Sequence, residues 1–252
     1  MLRKKFPDGI ANRLLASLAL EDYDLLRPHL EAVQLPYRHL LYPANKNIAF
    51  AHFLENGVAS LVSTMRNGDA SEIGTIGNEG FVGLPILLAD KMAPTGVYMQ
   101  VPGEGFRIEV DVFEEALAKS ASLRTAMSHY AHAFFNQVAQ SAACNHHHSL
   151  DQRCARWLMM TYDRMDSNVF LLTHEFLAMM LGVRRAGVTV AARELQRRGI
   201  IRYKRGEITI LELDDLRKRA CECYAVTKRD FDRLLGSTEK QALHVSQLQA
   251  AN

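Results

Sequence analysis

A chain of 252 residues, 48% hydrophobic and 23% charged, has the length of two ordinary domains and the composition of a globular protein with real cores. Its formal net charge of +2 hides an uneven distribution: residues 10–150 carry nine Lys and Arg against fourteen Asp and Glu, and residues 151–220 carry fourteen against nine. That contrast points to an acidic sensing or interaction part joined to a part that faces a polyanion, and an unevenly solvated surface would read the same way.

The first eight residues are basic, but no apolar stretch long enough for a signal peptide follows them. No run approaches the ~18 apolar residues of a membrane span, so a cytoplasmic location without a membrane partner is expected. Residues 10–30 read as short helices, with Leu14, Leu15 and Leu18 and then Tyr23, Leu25, Leu26 and Leu30 at helical spacing. From about 33 to 110, β-rich runs at 48–54, 59–64, 71–76, 96–101 and 106–110 alternate with Gly, Asn and Pro. Glu55-Asn56-Gly57 and Arg66-Asn67-Gly68-Asp69 signal hairpins, because Asn-Gly supplies the positive φ of a tight turn. Strands this closely spaced predict a barrel or sandwich.

Asp111 stands where it would cap a helix over 111–119. A longer helix is predicted over about 122–143, with Leu123, Met127, Tyr130 and Phe134 in one heptad-like stripe and Phe135, Val138 and Ala142 in a second. One stripe would cover the barrel and the other meet the same helix of a second subunit; burial of the whole helix within one subunit is the alternative. The subunit seam is expected on the stripe containing Phe134. A further helix over 151–162, a break at Asp166-Ser167-Asn168 and a short strand over 169–172 follow. Residues after Tyr224 read as a polar tail.

The informative stretch is 172–210. A first helix at about 174–181 begins at Thr173, in the N-cap position, and offers Leu177, Met180 and Leu181 inward. Gly182 permits a sharp turn because it lacks a Cβ. A second helix at about 185–198 gives Val188, Ala191, Ala192 and Leu195 to the core, and its other face carries Arg185, Thr189, Arg193 and Gln196. Arg202 to Ile210 reads as a two-stranded wing turning at Arg205-Gly206, with Arg202, Lys204 and Arg205 exposed to solvent. Eight Lys and Arg against two Asp and Glu lie between 181 and 210. A basic helix after a glycine turn, followed by a basic hairpin, is what base and phosphate contacts require. Gly187 early in the second helix would allow either close approach to DNA or close helix packing.

Residues ~10–224 resemble the CRP/FNR family of bacterial transcription regulators in the order barrel, long helix, then the 172–210 motif. The resemblance implies an α+β fold: an N-terminal double-stranded β-helix (a jelly-roll-like barrel) over 10–120, a dimerisation helix over 121–148, and a winged helix-turn-helix DNA-binding domain over 149–224, before the tail at 225–252. It implies a homodimer that binds duplex DNA and RNA polymerase, and no enzymatic activity. Arg184, Arg185 and Ala186 would open the recognition helix, with Thr173 and His174 near phosphates. The chain departs from the catabolite-activator pattern at Ala186 and Val190, which cannot make that pattern's contacts to cytosine and guanine, so its operator should differ.

In cyclic-nucleotide members a Gly-Glu segment precedes an Arg that neutralises the cyclic phosphate. Here Gly77-Asn78-Glu79-Gly80-Phe81-Val82-Gly83 resembles the first part, but 91–96 contains no Arg, and Lys91 could serve only as a point charge. Cyclic AMP is therefore not the expected effector, and the effector, if any, is unknown. Oxygen-sensing members carry an N-terminal cysteine cluster, whereas residues 1–143 contain no cysteine. Cys144, Cys154, Cys221 and Cys223 have no Cys-x-x-Cys spacing and are expected to be reduced thiols, with His146–His148 in a solvated turn. No metal or cofactor is expected. The alternatives are a metal- or redox-responsive regulator using Cys144, Cys221 and Cys223, and a protein-binding scaffold that does not bind DNA.

Overall fold

A computed structural model describes residues 10–236. The chain runs α1 (Arg13–Ala16), α2 (Leu20–Leu26), β1 (Glu31–Leu35), β2 (Leu40–Tyr42), β3 (Phe50–Leu54), β4 (Val58–Thr64), β5 (Ala70–Ile76), β6 (Phe81–Val82), α3 (Leu84–Leu87), β7 (Gly96–Val101), β8 (Gly103–Glu109), α4 (Val110–Lys119) and α5 (Ala121–His147). It continues through α6 (Leu150–Tyr162), β9 (Val169–Leu171), α7 (His174–Leu181), α8 (Arg185–Arg197), β10 (Ile201–Lys204), β11 (Glu207–Ile210), α9 (Leu213–Arg219) and α10 (Cys223–Leu235).

The first eight strands form two antiparallel four-stranded sheets, in the orders β1-β8-β3-β6 and β2-β7-β4-β5, the jelly-roll-like barrel expected. The 67–68 turn joins the paired strands β4 and β5 as the hairpin expected, whereas the 56–57 turn carries the chain from β3 in one sheet to β4 in the other and is a crossover, not a hairpin. Gly57 and Gly68 take φ of +87° and +89°, which glycine adopts without a Cβ clash. Phe53, Phe81 and Phe113 pack with ring centroids 5.5–5.9 Å apart, and Tyr130 of α5 closes the cluster 5.4 Å from Phe81. Offset and edge contacts of this kind contribute about 0.5–1.5 kcal/mol each beyond area burial.

Three further expectations are corrected. Asp111 lies inside the first turn of α4, whose N-cap is Glu109 without a side-chain bond; Asp111 instead pairs with Lys91 at 2.7 Å. The stripe of Leu123, Met127, Tyr130 and Phe134 is buried in the chain's own barrel core, so it cannot be a subunit seam. Heptad spacing identifies an apolar face but not its partner. Residues 225–235 are not tail: they belong to α10, which packs along α5 through Thr227, Phe231 and Leu235. The remainder of the predicted tail, 237–252, and the basic N-terminus lie outside the described residues. No described helix is long and apolar enough to cross a membrane.

The two halves touch. α7 lies on the outer face of the β2-β7-β4-β5 sheet, where Tyr98 meets Phe176 edge-on at 5.8 Å and its hydroxyl lies 3.0 Å from Met179 Sδ. Arg164, just beyond α6, reaches into the barrel and pairs with buried Glu79 through two contacts, at 2.6 and 3.0 Å.

Candidate nucleic-acid interface

The helix pair is built by ordinary capping and packing. Thr173 Oγ1 accepts from Phe176 N at 3.3 Å, satisfying one donor that the first turn of α7 leaves free. Gly182 closes α7 at φ +61°, a left-handed position that favours glycine. Phe176, Leu177, Met180 and Leu181 of α7 then meet Val188, Ala191, Ala192 and Leu195 of α8, all buried. A Cβ on Gly187 would lie 3.1 Å from Leu150 Cδ2, so this glycine serves helix packing against the start of α6.

The wing is a three-stranded sheet, β10-β11-β9. Arg205 and Gly206 take φ of +54° and +81°, the paired positive values of a two-residue primed turn. Gly206 O accepts from Leu172 N at 2.8 Å, which holds the wing turn against the entrance to α7. Gln196 Oε1 accepts from Tyr203 N at 2.8 Å, fixing the first wing strand to α8. Gln196, read from spacing as part of the outward face, is spent on this bond.

His174 ties the three elements together. Its ring stacks on Tyr203 with centroids 4.4 Å apart and planes 6° from parallel, and its Nδ1 lies 3.2 Å from Thr189 Oγ1. Burial, then the nearby charges of Arg185 and Arg193, lower its pKa. Its Nε2 is buried without a partner, so that nitrogen does not face solvent, and Nδ1 is taken up by Thr189. Thr189 also bonds back to Arg185 O at 3.1 Å. Sequence spacing gave no sign of Tyr203 and Gln196 as positioning residues, because their partners lie on other elements.

Arg184, Arg185, Arg193, Arg202, Lys204 and Arg205 are exposed. Among the described residues, none has a carboxylate at ion-pair distance. By contrast, Arg197 and Arg198 on the far end of α8 both pair with Glu194, whose carboxyl they hold down to about 2. Arg185 acts on His174 and on Tyr203 alike, so the cation at the start of α8 lies close to both α7 and the first wing strand. Ala186 and Val190 are exposed on the same helix, Val190 by 66%. The arrangement is an uncompensated cationic surface with a small apolar patch, carried on a helix that projects beside a hairpin.

In the barrel, the glycine-rich segment is closed. A Cβ on Gly80 would overlap the Tyr130 ring and one on Gly77 the Arg164 side chain. Glu79 is held by Arg164, and Lys91 pairs with Asp111 and Glu114 of α4 at 2.7 and 2.9 Å.

Residues 152–219 match the family of Crp-like helix-turn-helix domains. No curated protein sequence matches the chain. Among solved structures, a transcriptional regulator of the crp/fnr family from Eubacterium rectale is 18% identical with a TM-score of 0.62, over 82% of this chain and 96% of that one. FixK2 from Bradyrhizobium japonicum is 10% identical with a TM-score of 0.65, over 76% and 98%. The c-di-GMP-responsive global regulator CLP of Xanthomonas campestris is 14% identical with a TM-score of 0.60, over 76% and 99%.

Proposed function

We infer, from a chain of CRP/FNR type whose residues 152–219 form a Crp-like helix-turn-helix domain, that it acts as a homodimer on a specific duplex DNA site and contacts RNA polymerase there. The observation that carries the reading is the set of uncompensated cations on α8 and the wing beside the paired ones at the end of α8. Cations without carboxylate partners are free to replace the counterions of a phosphate backbone. Arg185, at the N-terminal end of α8, reads a base edge, and its guanidinium spans O6 and N7 of guanine. Ala186 and Val190 are apolar and suit thymine methyl groups. Arg184, Arg193, Arg202, Lys204 and Arg205 contact phosphates, with Thr173 at the start of α7. His174 positions Thr189 and the wing from within.

The second copy docks on the exposed face of α5 that includes Phe135, Ala139 and Ala142. These residues keep heptad-like spacing, and the alanines allow two helices to approach closely. Cyclic AMP is not the effector: Glu79 is committed to Arg164, Tyr130 fills the space beside Gly80, and residues 91–96 hold no arginine for a phosphate.

The test is a titration of selected and scrambled duplexes at several salt concentrations, with and without cyclic AMP. Arg185→Ala should cost about 1–3 kcal/mol on the selected site and relax preference at one position per half-site. Lys204→Ala should weaken both duplexes alike and reduce the salt slope by about one. Cyclic AMP should leave both affinities unchanged. A folded wild-type chain with no salt-sensitive affinity for any duplex would end the DNA reading, and a cyclic-AMP-dependent gain would end the closed-barrel reading.

A further inference from the structure

Where the chain enters and leaves the winged unit, four residues converge that have no place in the DNA interface. Cys144 and His148 stand one turn apart at the C-terminal end of α5, and so share a face. Cys221 and Cys223 lie at the start of α10. Among the described residues, the ligand atoms of these four lie within 4.8 Å of one another. The three cysteines are buried and His148 is half-buried, while His146 and His147 face solvent. Cys144 Sγ is 3.5 Å from Cys221 Sγ, and His148 Nδ1 is 3.6 Å from Cys223 Sγ.

Those separations suit one ion. Metal–sulfur bonds of about 2.3 Å and metal–nitrogen bonds of about 2.0–2.1 Å span a tetrahedron with edges of about 3.5–3.8 Å. A disulfide would bring two sulfurs to about 2.05 Å, and all four cysteines of the chain are free. We propose that Cys144, His148, Cys221 and Cys223 bind a single zinc ion. Soft thiolates with one imidazole select zinc over magnesium or calcium. A two-iron cluster needs its ligand pairs spread across two metal atoms, wider than this group. Four protein ligands leave no open position, so the ion is structural.

The surroundings are those of a ligand set. His148 Nε2 lies 3.1 Å from Glu222 Oε2; a carboxylate there fixes the tautomer that turns Nδ1 toward a metal. Gln140 Nε2 donates to Cys223 Sγ at 3.0 Å. Three thiolates, one neutral imidazole and a divalent ion carry one net negative charge, and buried Arg156 acts on Cys144 from close by. Binding releases the thiol protons to solvent. The spacing, Cys-x-x-x-His and Cys-x-Cys on separate helices, resembles no standard zinc motif, which is why sequence alone argued against a metal.

The proposal stands apart from DNA binding and is tested without it. Untagged protein, purified anaerobically from zinc-supplemented culture, should hold about one zinc per chain by elemental mass spectrometry. Cys221→Ser should fall to background, and Cys154→Ala, whose thiol lies outside the cluster, should not. Glu222→Gln should weaken zinc about 10–100-fold in chelator competition. Cobalt(II) titrated into the wild-type apoprotein should give the intense thiolate and tetrahedral ligand-field bands, saturating at one equivalent and displaced by zinc; this arm needs no variant to fold. Absence of both metal and cobalt bands, or a Cys144–Cys221 disulfide in the anaerobic protein, would overturn the site.

Discussion

Glu72 on β5 shows how one buried carboxyl makes stability depend on pH. Its Oε2 accepts from Ser60 Oγ at 2.5 Å, while Oε1 is buried with no partner. Burial raises its pKa to about 8, against the opposing influence of the Ser60 hydrogen bond and of Arg164 and Arg156. The folded chain therefore binds this proton more tightly than the unfolded chain, whose carboxyl titrates near 4.5. Stability from this group is full at low pH and falls as pH rises from about 4.5 through about 8. Glu72→Gln keeps the shape and removes the ionisation. Thermal melts at pH 5, 7 and 9 should show the variant gaining on the wild type as pH rises; a constant difference across that range would refute the assignment. Arg185, Lys204 and Arg205 were legible in the sequence because exposed cations on a patterned helix and hairpin need only local spacing. Glu72 and Arg164 were not, because the burial of one and the Glu79 partner of the other arise only on folding. His174 was named, but as a phosphate contact, whereas its ring is engaged by Tyr203 and Thr189.

At the scale of elements, α10 is the clearest case of a pattern hidden by its neighbours. Tyr224, Thr227, Phe231 and Leu235 fall three and four residues apart and are all buried, yet Lys228, Arg229, Asp230, Asp232 and Arg233 between them make the segment read as solvated. The amphipathic stripe was present in the sequence with a threonine in its middle, too thin to outweigh the charges. Phe231 contacts the Tyr130 ring at 6.3 Å, so α10 seals the edge of the barrel core. Phe231→Ala should cost about 3–5 kcal/mol, read as a lowered midpoint in urea unfolding; a cost below about 1 kcal/mol, the range of surface sites, would mean that α10 contributes little. The barrel strands β3, β4, β5, β7 and β8 were legible within a few residues because turn chemistry punctuates them. β1, β2 and β6 were missed, being short or lacking flanking turn signals. The long helix was expected to end four residues early, since the histidines that extend it carry no periodic signal.

For the whole molecule, the order of barrel, long helix and winged unit followed from sequence, whereas the contacts between them did not. The proposed dimer offers the check at this scale. Phe135 is 67% exposed on α5 while its neighbour Phe134 is buried in the barrel, so the two adjacent phenylalanines should behave oppositely. Phe135→Glu should place like charges together across the seam and yield a folded monomer by light scattering at micromolar concentration. Phe134→Glu should unfold the barrel instead. A Phe135→Glu chain that remains dimeric would move the seam elsewhere. The adjacency of Cys144 and Cys221, 3.5 Å apart at sulfur, has one more meaning. The winged unit departs from α5 and returns to α10 at a single spot, so it is a closed excursion whose two ends meet. Turning it about that spot stretches neither connection. The Arg164–Glu79 pair and the seat of α7 on the sheet are therefore what fixes the unit's orientation against the barrel, rather than the two chain connections.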